Sequence, residues 1–321
     1  MVTLPDTSGA QLIGLDWGST SLRAMLIGAS GRVLKTRSSA HGASTLDGSK
    51  AAYIAALNAL ADDWCSTMPY LPILACGMVG SKHGWLEVPY VHCPASAQVL
   101  ANGMGTVDWH STKVHIVPGL LYETPARVPD VIRGEETQVL GALEIDPSLG
   151  ERSCIVMPGT HSKWAQVTSS AVRGFATFMT GELFAVLRQH SVLGRLIPSV
   201  FEDAPHVFEA GVLAARNHGD AGLPHQLFSV RTLGLTGDLP PEQLSDYMSG
   251  LLVGHELRAG LRWRKQAALA DAPLLLIGEP ALCHRYANAL QLFGEDAAKI
   301  LPNTAGEGLW SLAEAAKGVL G

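Results

Sequence analysis

The stretch LIGLDWGSTSLRAMLIGASGRVL, Leu12 to Leu34, sets two apolar segments around a short polar turn and follows them with a second glycine turn. Residues 11–17 and 22–27 read as neighbouring strands, and Ala29 to Gly31 as a turn into a third strand. Within the first turn, Gly18 can adopt dihedrals closed to other residues and lets a ligand approach the backbone. Ser19 and Thr20 add hydroxyls beside the turn amides, a combination that suits a phosphate chain. Asp16, at the end of the apolar strand, is placed to hold Mg²⁺ directly or through water. An ordinary hairpin with a Ser/Thr turn would use the same residues, so the rest of the chain has to decide.

A second segment repeats the layout. MPGTHSKW, Met157 to Trp164, again sets a polar turn between apolar stretches, with Gly159, Thr160, His161, Ser162 and Lys163 in the turn. Lys163 can reach a phosphate or carboxylate as a mobile point charge. His161 lacks a partner at metal-ligand spacing and is not read as a zinc ligand. LIGEP, Leu276 to Pro280, gives a third glycine turn after a buried strand, and open α/β sheets bind ligands at such strand ends.

Between these landmarks, helical apolar spacing appears from Lys50, from Glu135, and in GELFAVLRQHSVL, FEAGVLAARN, QLSDYMSGLLVGHELRAGLRW, ALCHRYANALQLFG and the closing GEGLWSLAEAAKGVL. PDVIRG, from Pro129, reads as a loop before the helix that carries Glu135 and Glu136 in its first turn. The chain is therefore α/β twice over. A boundary is expected near residues 145–151, where Asp, Pro, Gly and Ser cluster, giving domains of 1–148 and 149–321.

Composition narrows the function classes. At 321 residues and 47% apolar, the chain can bury a large core in one or two domains. Its net charge of −6, without a block of like charges, argues against nucleic acid as a partner. Five scattered cysteines with no CxxC pair make a poor disulfide framework and suit a reducing compartment. MVTLPDTSGAQ lacks the basic and apolar regions of a signal peptide, and no segment reaches the roughly 20 apolar residues a bilayer requires. The expectation is a soluble cytoplasmic protein with a small-molecule substrate and no membrane partner; homo-oligomer formation is left open.

LDWGSTSLRAML, GMVGSKHGWLEVPYVHCPA, IVPGL, RGEETQVLGAL, MPGTHSKW, FMTGELFAVLRQHSVLG and YMSGLLVGHEL, in this order and spacing, together resemble the 2-dehydro-3-deoxygalactonokinase family. The likeness runs from about Leu12 to Gly308, and RGEETQ and PGTHSKW are far more specific than a generic glycine loop. It implies an ATP- and Mg²⁺-dependent sugar-acid kinase with the actin/hexokinase-like ATPase fold, in which two ribonuclease-H-like lobes close over a central cleft. Asp16 to Thr20 would then be the first phosphate loop, with Asp16 near Mg²⁺, and Gly159 to Lys163 the second. Gly278 to Pro280 would be the adenosine-side turn.

The implied reaction transfers the γ-phosphoryl of ATP to the 6-hydroxyl of 2-dehydro-3-deoxy-D-galactonate, as a step of D-galactonate catabolism. It needs a carboxylate to accept the hydroxyl proton. Glu136 is favoured as that base and Glu135 is the alternative; the competing reading is that both merely suit a helix N-terminus. Lys82 and Arg133 are the candidate cations for the substrate carboxylate. Trp85 and Tyr90 are candidate walls of the sugar site, with a core role as the alternative for Trp85. Glu182 either contacts substrate hydroxyls or caps its helix. The gluconate epimer as acceptor, a phosphatase-like or acyl-phosphate enzyme on the same fold, and a non-catalytic sugar-acid sensor are the other readings.

Overall fold

The computed structural model describes residues 9–124, 127–200, 203–295 and 299–318. The expectations for residues 1–8 and for the last residues of the closing helix, 319–321, lie outside the described residues. In chain order the first half contains β1 (Leu12–Trp17), β2 (Leu22–Ile27), β3 (Val33–Ser39), α1 (Lys50–Thr67), β4 (Ile73–Gly77) and β5 (Val91–His92). It continues with α2 (Ala97–Asn102), β6 (Gly105–Trp109), β7 (Thr112–Ile116), β8 (Leu120–Thr124), β9 (Arg127–Ile132) and α3 (Glu135–Ile145). The second half contains β10 (Arg152–Met157), β11 (Ser162–Thr168), β12 (Ala171–Phe178), α4 (Thr180–His190), α5 (Pro205–His218) and α6 (Leu223–Thr236). After these come α7 (Leu244–Gln266), β13 (Leu274–Ile277), α8 (Pro280–Leu292), β14 (Lys299–Leu301) and α9 (Ala305–Ala315).

Two sheets carry the same plan. The first has strand order β3-β2-β1-β4-β7-β6, with β1 antiparallel to β2 and parallel to β4. The second has order β12-β11-β10-β13-β14, with β13 parallel to both β10 and β14. β1 lies between β2 and β4, and its Leu12, Ile13, Leu15 and Trp17 are fully enclosed. That explains why the segment reads as a nearly continuous apolar run. Gly14 sits close to the side-chain ends of Ile27 and Leu309, which a Cβ there would approach to 2.6 and 2.9 Å. Ser49 starts α1 by accepting the Ala52 amide at 3.2 Å.

Residues 1–152, 167–175 and 303–321 form one compact unit, and 153–166 with 176–302 form the other. The expected division at 148/149 therefore differs from the observed one, chiefly in the home of α9. That helix packs into the first unit, where α3 and α9 touch through glycine: a Cβ on Gly308 would lie 1.9 Å from the Thr137 carbonyl oxygen, and one on Gly141 equally close to that of Thr304. Thr304 adds a hydroxyl bond to the Gln138 carbonyl at 2.6 Å. Gly308→Ala should therefore destabilise the protein by roughly 1–3 kcal/mol, because forcing the helices apart outweighs the better helix propensity of alanine. Urea unfolding followed by tryptophan fluorescence checks this, and an unchanged midpoint would contradict the close approach.

Several elements escaped the periodicity reading. Pro129 to Ile132, expected as a loop, belong to β9, which pairs antiparallel with β8 through Leu120 opposite Ile132. The small sheet β5-β8-β9 delivers the chain directly to Arg133, Gly134 and α3. Helix α6 had no legible stripe because only Gln226 and Val230 on it are buried, whereas Phe228 and Leu235 are exposed. Among the described residues, no helix is long and apolar enough to cross a membrane, and all five cysteines are free thiols.

Candidate active site

In the first unit, three chain ends meet through glycines. Gly77 closes β4 with φ of +91°, and a Cβ there would lie 2.6 Å from the Trp17 carbonyl oxygen. Gly134 precedes α3 with φ of +107°, and its Cβ position is 3.3 Å from Gly77 Cα. Both residues need the left-handed backbone that glycine supplies without penalty. The result brings the end of β1 and its turn beside the start of α3.

Asp16 lies opposite Arg23 on β2 and Cys76 on β4. Burial raises its carboxyl above the usual carboxylate range, and the Arg23 guanidinium, 3.9 Å away, partly offsets this. In the turn, Gly18 N–H donates to the Ser21 carbonyl at 2.9 Å. The Gly18 and Ser19 carbonyls accept from the Ala43 and Ser44 amides, each at 2.9 Å. The turn is thus fastened by its carbonyl side to the 42–45 segment, and Ser19 and Thr20 are exposed. Gly42 permits that contact, since a Cβ would lie 2.3 Å from the Ser19 oxygen.

Glu136 is completely enclosed. Its two oxygens accept from the Gly134 amide at 2.9 and 2.7 Å, and Thr137 donates its hydroxyl at 3.2 Å. Burial, followed by the charge of neighbouring Glu135, pushes its carboxyl up to about 7 despite these hydrogen bonds. Glu135 is half-buried, and its Oε2 accepts the Arg133 amide at 3.0 Å. The enclosed Cys76 thiol is pushed well up by burial and by the charges of Asp16 and Glu136, so all three groups share one electrostatic neighbourhood.

The Arg133 guanidinium donates from Nη2 to the Val88 carbonyl at 2.8 Å and lies 4.4 Å over the ring of half-exposed Tyr90. Its Nε and Nη1 are buried and have no hydrogen-bond partner among the described residues. Lys82 is exposed. Trp85 is buried in the core: it stacks on Tyr53 at 6.1 Å and meets Trp17 edge-on at 6.2 Å.

In the second unit, the Gly159–Lys163 turn divides into an outward and an inward half. Gly159 has open space where a Cβ would stand, and Thr160 and His161 are exposed. Ser162 and Lys163, expected to face a phosphate, are buried instead. Alternation along β11 turns the Ser162 hydroxyl to 3.1 Å from Tyr286 Oη, while Lys163 Nζ donates to Thr177 Oγ1 at 2.9 Å. Glu182 pairs with the His161 imidazole and does not cap α4 through its side chain; its amide bonds the Thr160 carbonyl at 3.0 Å.

A cavity of about 410 Å³ opens beside this turn, lined by Gly159, Thr160, Thr180, Gly181, Ser249 and Tyr286 among others. Gly278, with φ of +152°, sets the turn from β13 into α8 but does not itself line the cavity; Leu282, Arg285 and Tyr286 of α8 do. Glu279 caps that helix by accepting the Ala281 and Leu282 amides at 3.1 and 2.8 Å. On the cavity wall itself, Asp246 accepts the Ala204 amide at 2.7 Å and pairs with Arg285.

Sequence reading missed Glu256, Thr180, Asp246, Arg285 and Tyr286. One signal was available. Along α7 the buried stripe runs Leu252, Val253, Glu256, Leu257, Gly260, so a carboxylate occupies an apolar position.

Residues 16–312 match the model of the family described as 2-keto-3-deoxy-galactonokinase. The chain is 38% identical to the 2-dehydro-3-deoxygalactonokinase of Escherichia coli (strain K12), over 95% of this chain and 98% of that one. It is 35% identical to a Rhizobium meliloti (strain 1021) protein named as a probable 2-dehydro-3-deoxygalactonokinase, over 90% and 91% of the two chains. The crystal structure of a Sinorhizobium meliloti protein, given as a candidate 2-dehydro-3-deoxygalactonokinase, superposes with a TM-score of 0.79 at 31% identity, covering 96% of this chain and 99% of that one. With its doubled sheet order, the chain has the actin/hexokinase-like ATPase fold.

Proposed function

We propose that this chain, which belongs to the 2-keto-3-deoxy-galactonokinase family, transfers the γ-phosphoryl of ATP to the 6-hydroxyl of 2-dehydro-3-deoxy-D-galactonate, giving the 6-phosphate and ADP. The observation that carries this reading is the pair of buried Arg133 nitrogens without a hydrogen-bond partner among the described residues, on the residue whose backbone amide bonds Glu135. A buried guanidinium with unused donors is costly unless a ligand completes it, and a 2-keto acid carboxylate matches its fork. Tyr90 and the Val88 carbonyl hold the guanidinium in place.

Glu135 is the better acceptor for the 6-hydroxyl proton. The Glu135 side chain is half-buried and accepts the Arg133 amide, whereas Glu136 is completely enclosed. Glu136 becomes the positioning partner: while ionised, its charge raises the basicity of Glu135. In the first unit, the exposed Ser19 and Thr20 hydroxyls suit a phosphate group. In the second unit, the cavity beside Gly159 and Thr160 offers space suited to a nucleotide.

Mg²⁺ is usually bound by one or two carboxylates together with substrate phosphates, and Asp16, at the end of β1 beside the first turn, is the carboxylate that would hold it. When bound, the ion supplies charge neutralisation at the phosphates.

The test is an ADP-release assay with Mg²⁺ over 2-dehydro-3-deoxy-D-galactonate, its gluconate epimer, galactonate, glycerol and no acceptor. Turnover confined to the first compound supports the proposal. Preference for the epimer would replace the substrate, and silence on every acceptor would overturn the kinase reading. In the same assay, Arg133→Met should raise KM for the keto acid about 10–100-fold and leave KM for ATP unchanged, the range expected for a hydrogen bond to a charged group. Arg133→Lys should not restore it, because the planar fork is lost.

A further inference from the structure

Glu256 gathers more hydrogen bonds than any loop contact would require. From the middle of α7, its Oε1 accepts the Trp164 indole N–H at 2.9 Å, and its Oε2 accepts the Tyr286 hydroxyl at 2.7 Å and the Thr180 hydroxyl. The side chains involved are all buried. A carboxylate only accepts, so Tyr286 must donate to it, which leaves Tyr286 Oη to accept from Ser162 at 3.1 Å. Ser162 Oγ in turn faces the Gly159 amide at 3.4 Å. Every proton in the chain Gly159, Ser162, Tyr286, Glu256 is thereby oriented toward one carboxylate.

The segments so tied together are the walls of the 410 Å³ cavity. Gly159 belongs to the β10–β11 turn, Thr180 begins α4, and Tyr286 lies on α8; all three line it, whereas Glu256 does not. Trp164 is pinned from behind, because Gly260, one turn along α7, has its Cβ position 2.5 Å from the indole. That contact aims the indole N–H at Glu256. Networks of this kind rigidify when fully satisfied, and removing one member leaves the others with unpaired buried groups.

We infer that Glu256 is the positioning residue of the nucleotide pocket, fixing the Gly159–Thr160 turn through Tyr286 and Ser162 and the start of α4 through Thr180. The assignment rests on the reading that ATP occupies this cavity. Ser162 accordingly serves the phosphate turn from the inside, through its bond to Tyr286. The mechanism above makes no use of Glu256, and nothing in its role requires contact with substrate.

The test uses the full chain and measures KM for ATP, KM for the keto acid and kcat, with ADP binding by calorimetry. Glu256→Gln places an amide donor against a ring of donors, and should raise KM for ATP and weaken ADP binding about tenfold or more, with KM for the keto acid changed less than twofold. Tyr286→Phe should act in the same direction, and the double variant should be no worse than Glu256→Gln alone, since both break one relay. Equal increases in both KM values, or additive losses in the double variant, would overturn the assignment and leave Glu256 a general stability element. Ser249→Trp, which fills the cavity, separates the two levels of the argument. Lost ADP binding in Ser249→Trp beside a neutral Glu256→Gln would overturn only the role of Glu256. Intact ADP binding in Ser249→Trp would remove the cavity reading and the assignment with it.

Discussion

Glu135→Gln is expected to lower kcat by roughly 10²–10⁴-fold, the usual contribution of a positioned general base, with little change in KM for ATP. The glutamine is isosteric and can still accept the Arg133 amide that Glu135 Oε2 now holds, so the start of α3 should persist. What disappears is the proposed acceptor of the 6-hydroxyl proton. Glu136→Gln should reduce kcat far less, because that carboxylate is enclosed and acts through its neighbour. It should, however, erase an ionisation near pH 7 from the kcat/KM profile, above which the wild-type rate rises as Glu136 takes its charge and strengthens Glu135 as a base. Steady-state kinetics on the two variants decides the matter. Near-normal turnover by Glu135→Gln with collapse of Glu136→Gln would transfer the base to Glu136.

The second large effect concerns stability. The Glu136 carboxyl stands at about 7 in the folded chain, against an ordinary value of 4.5. A raised carboxylate means that the folded state holds its proton more tightly than the unfolded state. The stability tied to that proton is fully present below pH 4.5, declines as pH rises through the interval, and is gone above about 7. A shift of this size corresponds to roughly 3 kcal/mol at 1.36 kcal/mol per pKa unit. Glu136→Gln, which has no charge to bury, should therefore match wild type near pH 4.5 and exceed it by up to ~3 kcal/mol at pH 8. Urea titrations at several pH values check this. A difference between the two proteins that does not grow with pH would contradict the buried-carboxylate account. It would also show that the Gly134 amide compensates the charge in full.

Such a gain would place Glu136 among groups that cost stability to serve chemistry. The enclosed carboxylate beside Glu135 has no packing rationale that glutamine would fail to satisfy, apart from one acceptor oxygen at the Gly134 amide. Arg133 has the same character. Two of its buried nitrogens lack a hydrogen-bond partner among the described residues while the guanidinium contacts Tyr90 and Val88, which is what the proposed substrate role uses. Arg133 directly precedes Gly134 and Glu136 follows two residues after it, so both are carried by the turn that the positive φ of this glycine sets.

The amino-acid sequence by itself determined the doubled α/β plan, the two polar turns and the family, because each depends on neighbouring residues. An apolar run closed by Asp16 and Gly18, or RGEETQ opening a helix, is legible wherever it stands in space. Only the tertiary structure decided which side chains of those motifs face outward. Ser162 turns inward because Tyr286, 124 positions away, stands ready to receive it, and Thr180 and Glu256 meet across 76 positions. The place of α9 was likewise settled by Gly141 and Gly308, whose missing side chains let two helices touch that are far apart in sequence. Local patterning reports backbone geometry and polarity. Burial, hydrogen-bond direction and the charge state of Glu136 are set by distant residues that folding alone brings near.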